Sequence, residues 1–262
     1  MFQPVLVSSG LAGWQFLQST YDRQTAAFNA SAQLKRDTDY FAEKIGSVET
    51  AEQLVSDRRL LTVALGAFGL QDDINNTFFI QKMLEEGTTA SDALANRFTD
   101  TRYRDMSEAF GLGPGEFRGA RLSDFAGKII EKYQASSFEI ATGAQDETMR
   151  LALYAERIVP DITSASGSEN QKWFSIMGQP PLRAVFETAL GLPSQFGQVD
   201  IDQQLDVFKE RAERTFGVTD PAEFSDPEKL DDLITTYLAR SQLASFGGGA
   251  SGASIALTLL SG

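Results

Sequence analysis

The sequence predicts an all-α fold, a multi-helix bundle of about nine to eleven helices. Apolar residues recur at steps of three, four and seven along most of the 262 residues, which is the spacing of one helix face. Ser, Thr and Asp precede many of these runs, and Gly or Pro follows them, as at helix starts and ends. Segments in which apolar and polar residues alternate are few, so the pattern favours helices throughout.

The first part of the chain is predicted to form one long helix followed by shorter ones. The long helix begins near Leu11 and ends at Gly46, because glycine commonly stops helices. Thr50–Gln53 has the spacing of a capping box, in which a hydroxyl and a Gln side chain bond the first amides of a helix. A short helix follows at Ser91–Phe98 with its serine as N-cap, and Asp100 caps the next one. The helices of this part are predicted to end at Gly69, Gly87 and Gly111.

The second part begins with a helix that Ser123 caps and continues with a longer one. Phe138–Ile158 has helical periodicity that Gly143 is able to interrupt, and Pro160 is predicted to end it. Ser168–Gln171 repeats the capping-box spacing. Proline in the first turn is predicted to open two later helices, at Pro180 and at Pro227.

A glycine-rich break at Gly111–Gly115 suggests two lobes. The predicted parts are a flexible N-terminus (1–10), a first helical lobe (11–111), a connecting loop (112–122), a second helical lobe (123–243) and a flexible Gly/Ser-rich tail (244–262). Ala42–Ile45 resembles Ala155–Ile158, and Ala67–Leu70 resembles Ala189–Leu192. The lobes are therefore either related by duplication or alike because helix ends converge on such patterns.

Composition excludes several classes of function. The chain has no histidine and no cysteine, so it lacks the usual acid–base catalyst near neutral pH, the commonest metal ligands and every disulfide. We predict no catalytic residue, no cofactor and no metal. A formal net charge of -13 argues against a nucleic-acid partner. No apolar run approaches the ~20 residues of a membrane span, and the N-terminus lacks the pattern of a cleavable signal peptide, so membrane insertion is not expected.

Two apolar segments are candidates for contacts with other proteins. Trp14, Leu17, Tyr21 and Phe28 lie on one stripe of the first helix and form the candidate partner-binding site. Packing in the core is the other use of this stripe. The second segment is Ile255–Leu260, which either packs on its own domain or docks on another subunit.

Two stretches together carry a family resemblance. They are Gly10–Gln18 and Phe138–Glu147, the latter continuing through Met149–Tyr154, with Ala67–Leu70 and Phe98–Tyr103 between them. The chain resembles the uncharacterised alphaproteobacterial family catalogued as domain of unknown function 1217 over most of its length. The resemblance implies an all-helical fold without established catalytic residues, and family members are often encoded near flagellar genes.

These observations lead to two hypotheses about function. The first is a noncatalytic protein–protein interaction or structural protein associated with the bacterial flagellum, as an accessory factor, an export substrate or a minor component. Its partners would be proteins, with the oligomeric state open, and its location cytoplasmic or flagellum-associated. The alternative is a soluble helical enzyme or small-ligand-binding protein that uses carboxylate and Arg groups, which requires a concave polar pocket.

Overall fold

The computed structural model describes residues 3–193 and 195–247, and these form thirteen α-helices without any β-strand. The all-α prediction is confirmed. Eleven of the helices have seven or more residues, and two short ones raise the number above the predicted range. The helices are α1 Gly10–Asn29, α2 Ala32–Lys44, α3 Ala51–Ser56, α4 Arg58–Ala67, α5 Thr77–Glu86, α6 Leu94–Arg97, α7 Arg102–Phe110, α8 Phe125–Gly143, α9 Glu147–Ser164, α10 Glu169–Met177, α11 Pro180–Leu190, α12 Ile201–Phe216 and α13 Pro227–Gly247.

The chain forms two compact units. The first unit contains residues 3–5 and Thr20–Thr142, and the second contains Leu6–Ser19 and residues from Gly143 onwards. Helix α1 therefore contributes its first half to the second unit and its second half to the first.

The long helix predicted over residues 11–46 is two helices, α1 and α2. The chain leaves the helical conformation at Ser31, which is extended with a ψ of 140°. Phe28 on α1 and Phe41 on α2 are both buried. Thirteen residues turn an α-helix by about 220° beyond whole turns, so an unbroken helix would point these two side chains to opposite sides. The turn at Ser31 lets both enter the core.

The two predicted capping boxes are present, but three other predicted N-caps are wrong. Thr50 and Ser168 each form a complete capping box with the Gln three residues later. Thr101 rather than Asp100 stands at the N-cap position of α7, and α8 begins at Phe125, two residues after Ser123.

Ser91, the third of these residues, lies outside any helix, because α6 begins at Leu94 and has Ala93 at its N-cap position. The backbone N–H of Leu94 donates instead to Glu86 Oε2 at 2.7 Å, which is a partner from α5 that local spacing cannot reveal.

Gly143 ends α8, whereas Pro160 does not end the helix that contains it. The Asp146 side chain accepts hydrogen bonds from the N–H groups of Thr148 and Met149 and starts α9, which continues to Ser164. A proline inside a helix removes one backbone hydrogen bond. Val159 and Ile162, on either side of Pro160, are both buried, and this packing offsets the lost bond.

The structure divides the chain at other residues than the predicted lobes do. The predicted connecting loop, 112–122, lies within the first unit. The chain passes from the first unit to the second after Thr142. Glu116 holds this loop in the first unit by accepting hydrogen bonds from Thr88 and Gly113, and Arg118 forms an ion pair with Glu49 at 3.3 Å. The loop is therefore packed rather than a linker.

Both predicted flexible ends are partly ordered where they are described. Residues 3–9 have no regular secondary structure, but the Val5 N–H donates to Gln24 Oε1 at 2.6 Å, and Gln24 Nε2 donates to the Val5 carbonyl at 3.1 Å. At the other end, α13 extends to Gly247, and the rest of the predicted tail, 248–262, lies outside the described residues.

One half of the suggested internal repeat has a local explanation. Gly69 and Gly191 both adopt positive φ, and the N–H groups of Leu70 and Leu192 bond the carbonyls of Leu65 and Glu187 at 2.9 and 2.8 Å. These are the hydrogen bonds of the same C-terminal helix cap. The likeness of Ala67–Leu70 to Ala189–Leu192 therefore follows from two helices that end in the same way.

Candidate functional site

The four predicted partner-binding residues on α1 lie mainly in the core. Trp14, Leu17 and Phe28 are buried, and Tyr21 is half-buried. The rings of Tyr21 and Phe28 each meet the ring of Phe138 edge to face at 5.6 Å within the first unit. A partner would reach this stripe only after local unfolding, so the structure places these residues in the chain's own packing.

A different set of aromatic side chains reaches solvent in the first unit. Phe78, Phe79, Phe98 and Tyr103 form what we call the aromatic surface. Phe78 is 80% exposed and Phe98 is 39% exposed. Phe79, Phe98 and Tyr103 form a mutual ring cluster with centroids 5.2–5.4 Å apart, in which Phe79 meets both neighbours edge to face. The arrangement is an apolar area that the chain itself leaves partly uncovered.

Helix α5 positions Phe78 by burying its other face. Ile80, Met83 and Leu84 are fully buried, which fixes the rotation of α5 about its axis. Phe78 lies about 200° from Ile80 around the helix and must therefore point outward. The sequence prediction counted Phe78 and Phe79 among the apolar residues of this helix without distinguishing their faces. The distinction was available, because two adjacent residues cannot both lie on a narrow buried stripe.

Hydrogen bonds hold the ring of Tyr103 in place. Its hydroxyl donates to Asp73 Oδ2 at 2.6 Å. Burial, the hydrogen bond to Asp73 and the charge of Asp73 raise the pKa of Tyr103, so that the hydroxyl stays protonated and continues to donate. The ring therefore presents a fixed surface to its neighbours.

An ion pair anchors the segment that joins Phe98 to Tyr103. The guanidinium of Arg102 binds both carboxylate oxygens of Asp100, with the shortest distance 2.6 Å, and its Nη1 donates to the Gly69 carbonyl at 2.6 Å. A bidentate pair of this kind restricts both side chains. The aromatic surface is thus fixed by polar contacts behind it.

One carboxyl next to this segment has an unusual ionisation. Burial, helped by the charges of Glu108 and Asp100 and opposed by Arg104 and Lys132, raises the pKa of Asp105 to about 6. The raised pKa is a consequence of the burial of Asp105 in the first turn of α7.

A shallow cleft in the first unit is the candidate for a small ligand. It measures about 420 Å³ and is lined by Asn29, Ala30, Lys35, Thr38, Asp39, Ala42, Ile130 and Gln134. Within the described residues, the Asn29 Oδ1 is buried and has no hydrogen-bond partner. Lys35 and Asp39 form an exposed pair at 3.7 Å. The cleft presents two opposite charges beside the Asn29 Oδ1, which solvent does not reach, but it lacks the converging carboxylate and Arg groups that the alternative hypothesis requires.

The described residues lack two features, one needed for a metal site and one needed for a membrane span. Residues 3–193 and 195–247 contain no group of three metal-ligating side chains placed to hold an ion. Over the same residues, no helix combines the length and the apolar character that crossing a membrane requires.

Comparisons with known proteins identify a family and a fold. The family described as a protein of unknown function, DUF1217, matches residues 67–230 of this chain. The crystal structure of a protein from Agrobacterium tumefaciens, determined by a structural genomics consortium, is similar with a TM-score of 0.75 and 26% sequence identity. The match covers 92% of this chain and 97% of that one. No curated protein matches this chain significantly.

Proposed function

This chain belongs to the DUF1217 family of proteins of unknown function, and we propose that it is a noncatalytic protein that binds a protein partner through the aromatic surface. The observation that carries the proposal is the 80% exposure of Phe78, whose chain neighbour Phe79 belongs to the ring cluster with Phe98 and Tyr103. Exposed apolar side chains that are grouped rather than scattered mark interaction sites.

The chemistry of the aromatic surface suits protein binding. Burying a Phe side chain contributes about 1.5–3 kcal/mol, and Phe78 and Phe98 retain much of that contribution for a partner. Aromatic residues are enriched at the centres of protein interfaces, where rigid rings lose little conformational entropy. Since Tyr103 and Arg102 are held by hydrogen bonds behind the rings, the surface is ordered before a partner arrives.

The cellular setting that we propose is the bacterial flagellum. There the protein would act as an accessory factor, an export substrate or a minor structural component. The support is the family resemblance, because relatives are often encoded near flagellar genes. This part of the proposal is independent of which surface binds the partner and needs its own test.

A photo-crosslinking experiment tests the binding surface. We replace Phe78 with a photoreactive phenylalanine analogue in the bacterium that encodes the protein, and use Phe117, which is 63% exposed in the same unit, as the matched control position. The proposal expects one discrete protein adduct from position 78, its loss when Phe98→Ser is added, and no such adduct from position 117. Equal adducts at both positions, or none at 78, would contradict it.

A deletion strain tests the flagellar setting. If the protein serves the flagellum, the strain loses swimming or assembles altered flagella, and the double variant Phe78→Ser/Phe98→Ser fails to restore them whereas Phe117→Ser restores them. Normal swimming together with normal flagella in the deletion strain would remove the flagellum from the proposal, and the crosslinking result would still decide the binding surface.

The cleft beside Asn29 favours a second candidate function, the binding of a small polar molecule. Solvent does not reach the Asn29 Oδ1, so a ligand with an N–H or O–H donor would satisfy this oxygen once rotation of the side chain turns it toward the cleft. Its test is a ligand-observed NMR screen of small zwitterionic and polar compounds, in which a hit must weaken with Asn29→Ala and persist with Phe78→Ser. A compound whose binding is unchanged by Asn29→Ala does not bind in this cleft.

A further inference from the structure

Arginines adjoin the rings of the aromatic surface. Every charged residue that stands next to one of these rings in sequence is an arginine, since Arg97 precedes Phe98, and Arg102 and Arg104 flank Tyr103. The chain as a whole has the opposite balance, with 36 acidic residues against 23 basic ones and a formal net charge of -13. The positive charge beside the rings is therefore a local feature of this surface.

One of the three arginines is used within the unit, and two are open to solvent. Arg102 binds Asp100 at 2.6 Å and donates to the Gly69 carbonyl at 2.6 Å. Arg97 and Arg104 are exposed, and over residues 3–193 and 195–247 no hydrogen bond or ion pair holds either guanidinium. The charge of Arg104 acts on the neighbouring Asp105. Arg97, beside the exposed Phe98, is therefore the guanidinium that is most available to a partner.

The carboxylates in contact with this surface already have partners. Asp73 Oδ2 accepts a hydrogen bond from the Tyr103 hydroxyl at 2.6 Å, and its Oδ1 accepts one from Asn76 Nδ2 at 2.7 Å. Asp100 is held by Arg102. These two negative groups serve contacts within the unit, so the aromatic surface offers a partner an open cation rather than an open anion.

We propose that the protein segment which binds the aromatic surface carries a carboxylate that pairs with Arg97, next to apolar side chains that cover Phe78 and Phe98. This inference rests on the proposed function. A guanidinium binds a carboxylate through two parallel N–H···O bonds, and such a pair is stronger where apolar rings exclude water. Arginine and aromatic residues are also enriched among the residues that dominate binding at protein interfaces. An Asp or Glu beside a Leu or Phe supplies both kinds of group.

Charge complementarity favours an acidic segment over a basic one. A partner with Lys or Arg at this place would bring like charges together, which disfavours binding. Salt at physiological ionic strength screens exposed charges that are more than about 8 Å apart. Arg97 therefore has a larger effect on the choice of partner than the acidic residues elsewhere on the chain.

Photo-crosslinking from position 78 of the full-length protein, in the bacterium that encodes it, tests the charge of the partner. Arg97→Glu, Arg97→Gln or Arg97→Lys is added to the protein that carries the photoreactive phenylalanine analogue at position 78. Arg121→Glu is the matched control, because Arg121 is another exposed arginine of the first unit and its replacement changes the net charge equally. Mass spectrometry measures the yield of the adduct and identifies the crosslinked peptide of the partner. Circular dichroism checks that each variant is folded.

Arg97→Glu should reduce the yield of the adduct at least about tenfold, whereas Arg121→Glu should leave it within about twofold of the parent. Arg97→Lys should retain more of the adduct than Arg97→Gln, because it keeps the charge. The crosslinked peptide should contain Asp or Glu close to the linked position.

The result separates this inference from the proposed function. An adduct from position 78 whose yield is unchanged by Arg97→Glu and Arg97→Gln, or a crosslinked peptide with Lys or Arg and no acidic residue, would overturn the inference and leave the proposed function intact. The absence of any adduct from position 78 would overturn both.

Discussion

The two units of the molecule use their aromatic side chains differently. In the second unit, the rings of Trp173, Phe186 and Phe224 meet edge to face at 5.5–6.0 Å, and all three side chains are fully buried. In the first unit, Phe78 and Phe98 reach solvent. Aromatic residues contribute most to stability when they are buried, so the first unit forgoes some stability where it exposes them. This difference is why we assign the binding role to the first unit.

The helices next to the aromatic surface begin differently from several helices of the second unit, although α3 and α4 of the first unit have side-chain caps and α11 of the second unit has none. The side chains of Asp146, Ser168 and Asp200 accept backbone N–H bonds at the starts of α9, α10 and α12. In the first unit, α5 and α6 begin without a side-chain bond from the N-cap residue. Helix α5 carries Phe78 and Phe79, and α6 ends immediately before Phe98. The aromatic surface is therefore built on helices that begin without a side-chain bond from the N-cap residue, and α6 receives its bond from Glu86 of α5 instead.

The largest difference in stability between the units is expected when a buried aromatic residue of the second unit and an exposed one of the first are each replaced by Ala. Trp173→Ala should lower the free energy of unfolding by about 3–5 kcal/mol, because it leaves a cavity against Phe186 and Phe208 and removes the hydrogen bond from Nε1 to the Thr219 carbonyl. Phe78→Ala should change it by at most about 0.5 kcal/mol, because the ring is exposed. Urea unfolding measures the free energy of unfolding of both variants. Equal losses of this free energy would contradict the expected difference between the units.

An intermediate effect is expected from Asp105, a half-buried carboxyl of the first unit. Asp105 has a pKa raised from 3.8 to about 6, so the folded state holds its proton more tightly than the unfolded state does. The stability linked to this group is complete below about pH 4 and is lost as the pH rises through about 6. Asp105→Asn should therefore stabilise the protein by about 2 kcal/mol at pH 7 and leave it unchanged at pH 4.

Urea unfolding across this pH range measures the Asp105 effect. Asp72→Asn, which removes an exposed carboxylate of the same unit, serves as the control and should retain the pH dependence of the parent protein. A stabilisation by Asp105→Asn that is the same at both ends of the range would show that ionisation is not its cause. In the second unit, burial also raises the pKa of Glu156, but a hydrogen bond from Gln18 opposes the shift.

The smallest effect is expected from the helix starts. Asp146→Ala should cost about 1 kcal/mol, because it removes the acceptor for two N–H groups at the start of α9. Asn76→Ala, at the corresponding position of α5, should cost only a few tenths of a kcal/mol, because Asn76 makes no such bond there. Thermal unfolding measures the loss of stability in both variants. A larger loss for Asn76→Ala than for Asp146→Ala would contradict the prediction.

Local signals predicted much of the fold. The capping boxes at Thr50 and Ser168 and the proline that opens α11 are recognisable because all their partners lie within three residues in sequence. The break at Ser31 and the continuation of α9 past Pro160 were not predicted, because both depend on side chains that pack from distant parts of the chain. The different faces of Phe78 and Phe79 could have been predicted from helical spacing, whereas the cluster of Phe79 with Phe98 and Tyr103 depends on contacts between different elements.

Periodicity, caps and composition establish from the chain alone that this protein is helical, acidic and without histidine or cysteine chemistry, because each of these follows from residue types or from neighbours within one helical turn. The tertiary structure decides the rest. It buries the stripe from Trp14 to Phe28, supplies Glu86 to the start of α6, and leaves Phe78 uncovered. These outcomes depend on contacts between residues far apart in sequence, and local pattern contains no information about which distant residues will meet.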